Sequence, residues 1–336
     1  MKGYKAFNKG LICKGKQYKE NETFEEERAV PCHRGMHFCK NPFDVLNFYD
    51  LVDENGEFSD FAEVEAPDDA EVKTDDNIKY CTTKLKVGAK FSFAGFVKTC
   101  VDFVIEKTQS EKPDSGYSAQ IGSSGYSAQI GSSGDYAQIG SSGDYAKIGS
   151  SGYSAQIGSS GYSAKIGSSG DSAQIGSSGY SAQIGSSGDS AQIGSSGYSA
   201  QIGSSGDSAQ IGSSGDYAKI GSSGDYAKIG SSGYSAQIGS SGYSAQIGSS
   251  GYSAQIGSSG DSAQIKSTGY DSIICCAGDD SCVSAKKGSW ITLAEWKYSY
   301  EKDRYVPKCV KTEYVDGERI KEDTMYKLID GEFTEV

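Results

Sequence analysis

Gly-Tyr-Ser-Ala-Gln-Ile-Gly-Ser-Ser, at residues 116–124, opens a run of seventeen nine-residue units that continues to residue 268 without a change of register. Each unit begins with glycine, and its fourth and sixth positions are always Ala and Ile, with Gln or Lys between them. This alternation is the two-residue period of a β-strand with one buried face. The Gly-Ser-Ser-Gly that follows has the composition of a turn. The repeat therefore predicts a β-solenoid, in which each unit buries its apolar face against copies of itself.

One short strand and one turn make half of a flattened coil, so we expect two units, or eighteen residues, in each coil. At a strand spacing of ~4.8 Å the repeat would form a rod of about 40 Å. We number the positions of a unit from one to nine, starting at its first glycine. The expected core is thin and consists of the Ala and Ile of positions 4 and 6, with some serine hydroxyls.

Position 2 is either Tyr or Asp, and Asp stands there in eight of the seventeen units. An unpaired Asp in a dry core would cost several kcal/mol, so we expect position 2 at an exposed corner. With eighteen residues per coil, Asp171, Asp189, Asp207 and Asp225 fall in one column. Like charges opposed on neighbouring strands repel. Either solvent screens these charges, or the column binds cations or a basic partner.

Tyr at position 2 offers a second kind of surface. Tyrosine is favoured at interfaces, because it adds contact area at little entropic cost. A homo-oligomer through the Tyr columns or through the C-terminal region is therefore expected.

The net charge of −12 argues against a general nucleic-acid-binding surface. The N-terminus lacks the apolar run of a signal peptide, and no run of eighteen apolar residues occurs, so we expect a cytoplasmic protein. The nine cysteines show no framework spacing and are expected to be free thiols in a reducing compartment. No cofactor is expected.

Residues 1–115 precede the repeat and predict a small α+β head domain. Asn41 and Pro42 supply an N-cap and a first-turn proline, so a helix is expected to start there. Residues 57–65 and 78–87 have the composition of strands. Residues 91–105 are apolar enough for a second helix or for a strand that leads into the first coil.

The head contains one group of residues with the chemistry of a metal or catalytic site, namely Cys32, His33, His37 and Cys39. Two thiols and two imidazoles within eight residues could bind zinc, and a Cys–His pair could act as a nucleophile. The spacing is not that of a zinc finger, and no acidic residue can be assigned to orient a histidine. Packing and turn roles are therefore expected for these residues, and we expect the chain not to be an enzyme.

The repeat decays into a degenerate last coil that ends near residue 286. Residues 287–336 then contain three apolar stretches, with Asp316-Gly317 and Asp330-Gly331 as hairpin turn signals. We expect a β-meander that caps the rod, because an open solenoid end exposes unpaired strand edges. The same module could instead bind a partner, with Trp290, Trp296 and Tyr305 as aromatic anchors.

The head resembles an uncharacterised domain of phage and bacterial proteins that precedes short glycine- and serine-rich repeats. The residues that carry this resemblance are Lys5-Ala6-Phe7, residues 35–39 (Gly-Met-His-Phe-Cys) and residues 41–46 (Asn-Pro-Phe-Asp-Val-Leu). Residues 290–295 and 326–333 are similar to the C-terminal end of the same proteins. The resemblance implies a phage or prophage setting, and it carries no known activity over to these positions.

The leading hypothesis is a non-catalytic interaction protein that holds two terminal domains apart and binds, or inhibits, a host macromolecule. One alternative is an acidic nucleic-acid mimic, although eight Asp against five Lys is a weak charge for that role. Further alternatives are an enzyme or metal site in the head, a calcium-binding β-roll and an ice-binding face. The repeat lacks the fixed turn Asp of a β-roll, and outward Gln and Lys interrupt its serine array.

Overall fold

The computed structural model describes residues 1–51, 58–108 and 117–336, and for residues 105–108 it describes the backbone alone. These residues form a β-sheet head, a solenoid of about ten coils and a C-terminal group of strands. The first strand of the solenoid pairs in parallel with the strand one coil later, so that Gln120 lies beside Gln138 and Ile121 beside Ile139. The predicted fold class and the eighteen-residue coil are confirmed.

The head contains a seven-stranded antiparallel sheet with the order β4-β9-β6-β1-β5-β8-β7, and a separate small hairpin of β2 and β3. Its strands are β1 (Lys2–Phe7), β2 (Ile12–Cys13), β3 (Lys16–Gln17), β4 (Thr23–Glu25), β5 (Met36–Cys39), β6 (Asp60–Glu65), β7 (Val72–Thr74), β8 (Lys79–Thr82) and β9 (Lys84–Phe91). Its helices are a 3-10 helix (Pro42–Asn47) and α1 (Phe93–Thr108).

The helix predicted at Asn41 is present as the 3-10 helix. The Asn41 side chain caps it, because Oδ1 accepts a hydrogen bond from the Phe43 amide at 3.0 Å. The apolar stretch 91–105, which left helix and strand open, lies in the end of β9 and in α1. The strand predicted over 57–65 begins at Asp60, and residues 52–57 lie outside the described part of the chain.

The solenoid strands form two sheets, because alternate nonapeptides stack on each other. The first sheet contains β10 (Gln120–Ser123), β12 (Gln138–Ser141), β14 (Gln156–Ser159), β16 (Gln174–Ser177), β18 (Gln192–Ser195), β20 (Gln210–Ser213), β22 (Lys228–Ser231), β24 (Gln246–Ser249), β26 (Gln264–Ser267) and β28 (Cys282–Ser284). The second sheet contains β11 (Gln129–Ser132), β13 (Lys147–Ser150), β15 (Lys165–Ser168), β17 (Gln183–Ser186), β19 (Gln201–Ser204), β21 (Lys219–Ser222), β23 (Gln237–Ser240), β25 (Gln255–Ser258) and β27 (Ile273–Cys276).

The core between the two sheets is as thin as the repeat predicts. Ala182, Ile184 and Ser186, at positions 4, 6 and 8 of one unit, are each 0% exposed. Isoleucine is the largest core residue in the repeat, and it touches copies of itself in the coils above and below. A core of this kind is stable only while coils remain stacked.

Identical sequences take two conformations at the corners between strands. Residues 188–193 and 206–211 both read Gly-Asp-Ser-Ala-Gln-Ile. Ser190 donates its amide to the carbonyl of Asp171 in the preceding coil, at 2.7 Å. Ser208 has a φ of 58° and donates its amide to Asp225 in the following coil, also at 2.7 Å. Neighbouring coils therefore select the corner conformation, since the local sequence is the same.

The C-terminal strands extend both solenoid sheets. They are β29 (Trp290–Ser299), β30 (Arg304–Tyr314), β31 (Tyr326–Ile329) and β32 (Glu332–Glu335). The β29–β30 hairpin continues the second sheet beyond β27, and the β31–β32 hairpin, with its turn at Asp330-Gly331, continues the first sheet beyond β28. The predicted cap strands thus form two hairpins, one at the end of each sheet.

The head packs along the side of the solenoid, against the second sheet. Between the head sheet and the solenoid lie α1 and the 3-10 helix, which share a buried cluster with Ala6 and Phe61 of the head sheet. The sequence did not predict this placement, in which α1 packs against β11, β13, β15 and β17. The cause is chemical, because the outer face of the second sheet fits the helices of the head.

Candidate functional site

Position 7 of each nonapeptide is a glycine on the outer surface of the solenoid. On the first sheet, a Cβ added to Gly158, Gly176, Gly194 or Gly212 would have nothing within 4 Å. Lys266 occupies the same position in β26. The fold of the first sheet therefore does not require glycine here. What glycine provides is a channel along the surface, flanked by the side chains of position 5.

On the second sheet α1 fills the equivalent channel from Gly149 to Gly203, whereas Gly257 in β25 keeps open space. A Cβ on Gly185 would lie 3.1 Å from Cγ2 of Val97, and one on Gly167 would lie 3.4 Å from Cγ2 of Val101. Phe93 approaches the glycine of the next coil in the same way. Residues four apart on the helix thus lie over glycines eighteen apart in the chain. The geometry works because a helical turn of about 5.4 Å is close to a strand spacing of about 4.8 Å.

Side chains at position 5 flank this channel and bind polar groups of the head. Lys147 Nζ lies 2.6 Å from the Asp44 carboxylate, and both side chains are less than a fifth exposed. Lys165 Nζ donates to the Phe43 carbonyl oxygen at 3.0 Å and to Asn47 Oδ1 at 2.5 Å. Both lysines therefore hold the 3-10 helix on the solenoid.

The same row continues with two glutamines and a third lysine. Gln183 Nε2 donates to the Leu46 carbonyl oxygen at 3.1 Å. Gln201 Nε2 donates to Asp50 at 2.9 Å, while its Oε1 accepts the Leu51 amide at 2.9 Å. Lys219 Nζ also reaches Asp50, at 3.0 Å. Position 5 thus recognises both carboxylates and the backbone of a docked segment.

Burial under the head changes the protonation of Lys165. Its pKa falls to about 8, because desolvation outweighs the opposing effect of the nearby Asp44 carboxylate. The head–solenoid contact therefore contains a lysine that loses its proton more readily than an exposed lysine.

The outer face of the first sheet has the same pattern and carries no covering segment among the described residues. It forms an elongated groove of about 1390 Å³. Positions 5 to 7 of the first-sheet strands from β10 to β26 line this groove, and Lys266 and Met325 bound one end of it. Position 5 in this groove is Gln in every unit except that of Lys228. We call this surface the open face, and the corresponding surface under the head the covered face.

Sequence reasoning did not find these two faces. The available signal was the distribution of lysine at position 5, since Lys147, Lys165 and Lys219 all belong to units of the second sheet and only Lys228 to the first. That signal becomes visible once alternate units are assigned to opposite sheets. The acidic residues that meet the lysines, Asp44 and Asp50, lie more than ninety residues away in sequence.

The aspartates predicted as a partner-binding column occupy an exposed corner of the first sheet. Part of this column has a structural task. Asp207 Oδ1 accepts the Asp225 amide at 3.0 Å, and Asp225 Oδ1 accepts the Tyr243 amide at 2.7 Å. No side-chain hydrogen bond from Asp171 or Asp189 occurs in the described residues. The column therefore mixes aspartates that cap the backbone with aspartates that face solvent.

The three aromatic residues predicted as tail anchors do not form one patch. Trp290 is 50% exposed and packs its ring 5.2 Å from Tyr314. Trp296 Nε1 donates to the Ala277 carbonyl oxygen at 2.8 Å, which ties the hairpin to the last coil. Tyr305 is exposed and lies near the opposite end of the β29–β30 hairpin from Trp290.

The Cys–His cluster of the head does not converge on a metal site. In the described residues, no group of three or more His, Cys, Asp or Glu side chains could hold a metal ion. His37 Nε2 accepts the Cys32 amide at 3.1 Å, and burial and nearby lysines lower the His37 pKa to about 4. Burial raises the pKa of Cys39 to about 12. His33 is exposed in the turn between Cys32 and His37. The cysteines of the described residues are free thiols.

Residues 1–99 match the family described as Domain of unknown function (DUF7666). The match covers β1 to β9 and the first half of α1, and it ends before the solenoid. It agrees with the resemblance of the head to an uncharacterised domain. No curated protein and no solved structure matches the chain. Among the described helices, none has the length and apolar character needed to span a bilayer.

Proposed function

We propose that this chain is a non-catalytic interaction protein whose open face binds an α-helix of a partner protein. The observation that carries the proposal is the covered face, where a solenoid surface of the same composition already holds α1. On the covered face Val97 and Val101 lie over successive glycines. A partner helix with branched apolar residues at i, i+4 and i+8 would fit the open face in the same way.

The polar rows favour the same occupant. Gln201 shows that a glutamine at position 5 can donate to a carboxylate and accept a backbone amide together. The open face presents a row of such glutamines, exposed and aligned one per coil. Only Lys228 adds a charge along this row, so an essentially neutral helix with polar residues beside its apolar stripe is the expected partner.

The setting of this function is part of the proposal. The resemblance of head and tail to phage and bacterial proteins supports a phage or prophage origin and a host protein as the partner. The interaction would then take place in the host cytoplasm and would block the partner by occupying its helix.

Capture from host cells on the immobilised chain tests the proposal with single substitutions. Gly194→Lys puts a charged side chain in the middle of the open face, and it copies the native Lys266, so the solenoid should tolerate it. Gly257→Lys is the matched control, because Gly257 lies on the second sheet with nothing within 4 Å of its added Cβ.

The expected result is a protein retained by the wild type and by Gly257→Lys and lost with Gly194→Lys. Cross-links from Lys228 should map to a helical segment of that protein. Equal capture by both variants, or cross-links to a segment that is not helical, would contradict the proposal.

A further inference from the structure

One corner of the solenoid carries a tyrosine in nine successive coils. It is the corner that precedes the strands of the second sheet. Where position 2 of a unit in this column is Asp, as at Asp144 and Asp216, position 3 is Tyr, so none of these nine coils is left without a ring. We call this column the tyrosine ladder, and it consists of Tyr126, Tyr145, Tyr162, Tyr180, Tyr198, Tyr217, Tyr234, Tyr252 and Tyr270.

Most neighbouring rings of the ladder contact each other, and all nine remain open to solvent. The Tyr162 and Tyr180 centroids are 5.2 Å apart with an interplanar angle of 1°, and those of Tyr180 and Tyr198 are 5.0 Å apart at 14°. Exposure in the ladder ranges from 41% at Tyr198 to 66% at Tyr126. From Tyr162 to Tyr198 the stacked rings cover each other's faces and present ring edges and phenolic hydroxyls to their surroundings, whereas Tyr217 meets Tyr234 edge to face at 76°.

The opposite corner differs although it is built from the same repeat. Three consecutive coils there have Asp171, Asp189 and Asp207 at position 2, each followed by serine. An aspartate corner is therefore compatible with the fold, and the coil does not require a tyrosine at position 2. The unbroken ladder calls for another explanation.

The exposed aromatic area is of the size found in stable interfaces. A half-exposed tyrosine contributes about 100 Å², so nine of them offer about 900 Å² on one molecule. Two such surfaces facing each other would bury about 1800 Å², and stable protein interfaces bury about 1600 Å². Exposed apolar patches of several hundred Å² on a soluble protein mark interaction sites.

The spacing of the ladder identifies the partner. An α-helix advances about 5.4 Å per turn against about 4.8 Å per coil, so it follows a few coils and is a whole rung out of phase after nine. A second solenoid of this kind has the same period at every rung. We propose that two copies of this chain associate through their tyrosine ladders, rung against rung.

Charge also favours this pairing. The ladder corner carries Asp144 and Asp216 within the repeat, whereas the opposite corner carries six aspartates between residues 135 and 261. Two copies that met through the opposite corner would bring these aspartates together. The ladder is the corner that can meet its own copy at the smaller electrostatic cost. Isologous contact of this kind produces a closed two-fold dimer.

Sedimentation velocity over a range of concentrations tests the proposal on the full chain. The ladder variant combines Tyr162→Asp, Tyr180→Asp and Tyr198→Asp, which copies the native aspartate run of the opposite corner. The control variant combines Tyr117→Asp, Tyr153→Asp and Tyr243→Asp, which adds the same charge to that opposite corner. The wild type and the control should sediment as dimers, and the dissociation constant of the ladder variant should rise at least 100-fold. A monomeric wild type, or equal weakening by both variants, would overturn the proposal.

A cross-linking measurement covers the case in which the ladder variant does not fold. Tyr198 is the middle rung, so it meets its own copy whether the two rods are parallel or antiparallel. In a background of Cys32→Ser and Cys275→Ser, which removes the exposed native thiols, Tyr198→Cys should give a covalent dimer with a short bismaleimide. Tyr153→Cys on the opposite corner should not. A covalent dimer with both variants or with neither would contradict pairing through the ladder.

Discussion

From Gly143 onward, the first glycine of a unit packs directly on the first glycine of the unit one coil earlier, as Gly179 does on Gly161. A Cβ on Gly179 would collide with the carbonyl oxygen of Gly161. The same collision recurs through the repeat at position 1, whereas the glycines of position 7 on the first sheet have open space. The repeat thus contains two glycines under different structural constraints. Backbone stacking between coils requires the glycine at position 1, whereas it does not require the glycine at position 7 of the first sheet.

Gly179→Ala should destabilise the solenoid by about 3 kcal/mol or more, because the backbone of two coils must separate to admit the methyl group. Gly176→Ala in the neighbouring unit is the control, and it should change stability by less than about 0.5 kcal/mol. Thermal melts followed by circular dichroism under identical conditions would measure both. Similar losses for the two variants would refute the steric distinction.

Asp44→Ala should release the head from the solenoid, because it leaves Lys147 charged and unpaired in a largely buried contact. Breaking such a pair costs on the order of 3 kcal/mol. Hydrogen exchange of the α1 amides should accelerate, while amides of the solenoid strands remote from the head keep their protection. Asp102→Ala removes the exposed ion pair with Lys98 and should cost less than about 0.5 kcal/mol. Unchanged α1 protection in Asp44→Ala would show that the apolar contacts alone hold the head.

His37 should make the head sensitive to mild acid. Its folded-state pKa is about 4 against an ordinary value of 6.5, so between these values the unfolded chain binds a proton that the folded chain does not. Stability from this group is therefore present above pH 6.5 and is lost as the pH falls toward 4. The melting temperature of the wild type should fall more steeply over this range than that of His37→Gln. The exposed His33→Gln should follow the wild type, and parallel curves for all three proteins would contradict the assignment.

Asp225 and Asp189 should respond differently to removal of their carboxylates. Asp225→Ala loses the bond to the Tyr243 amide and should cost about 1 kcal/mol. Asp189→Ala relieves repulsion between neighbouring aspartates and should leave stability unchanged or raise it by a few tenths of a kcal/mol.

Melts with and without a chelator would also show whether the column binds cations. A loss of stability on chelation that Asp189→Ala abolishes would establish a cation site and contradict this expectation.

The repeat allowed much of the solenoid to be predicted, because every coil has the same pattern of buried and exposed positions. Position 6 must be buried if the strand period is two, and Ile184 and its equivalents are. The eighteen-residue coil followed from one strand and one turn per unit. Position 2 was placed at an exposed corner by the cost of burying aspartate, and Asp171 and Tyr180 are both exposed there.

The candidate surfaces were harder to predict, since they depend on which units share a sheet and on distant residues. The ladder needs Tyr145 and Tyr217 from position 3 to complete a column that is otherwise built from position 2. A count of tyrosines at position 2 alone does not reveal it. The covered face needs α1, whose helical state the apolar stretch at 91–105 left open.

By itself, the sequence determined the stacked coil. Glycine at position 1, the buried Ala and Ile of positions 4 and 6, and the polar turn are compatible with one arrangement when they recur every nine residues. Only the tertiary structure decided where the head lies, since its helices could meet either of two faces of nearly the same composition. The difference was made by Lys147, Lys165 and Lys219, which meet acidic and carbonyl groups of the head across more than ninety residues of chain. Local patterns fix what neighbours in sequence must do, whereas a choice between equivalent surfaces depends on charges that become neighbours only after folding.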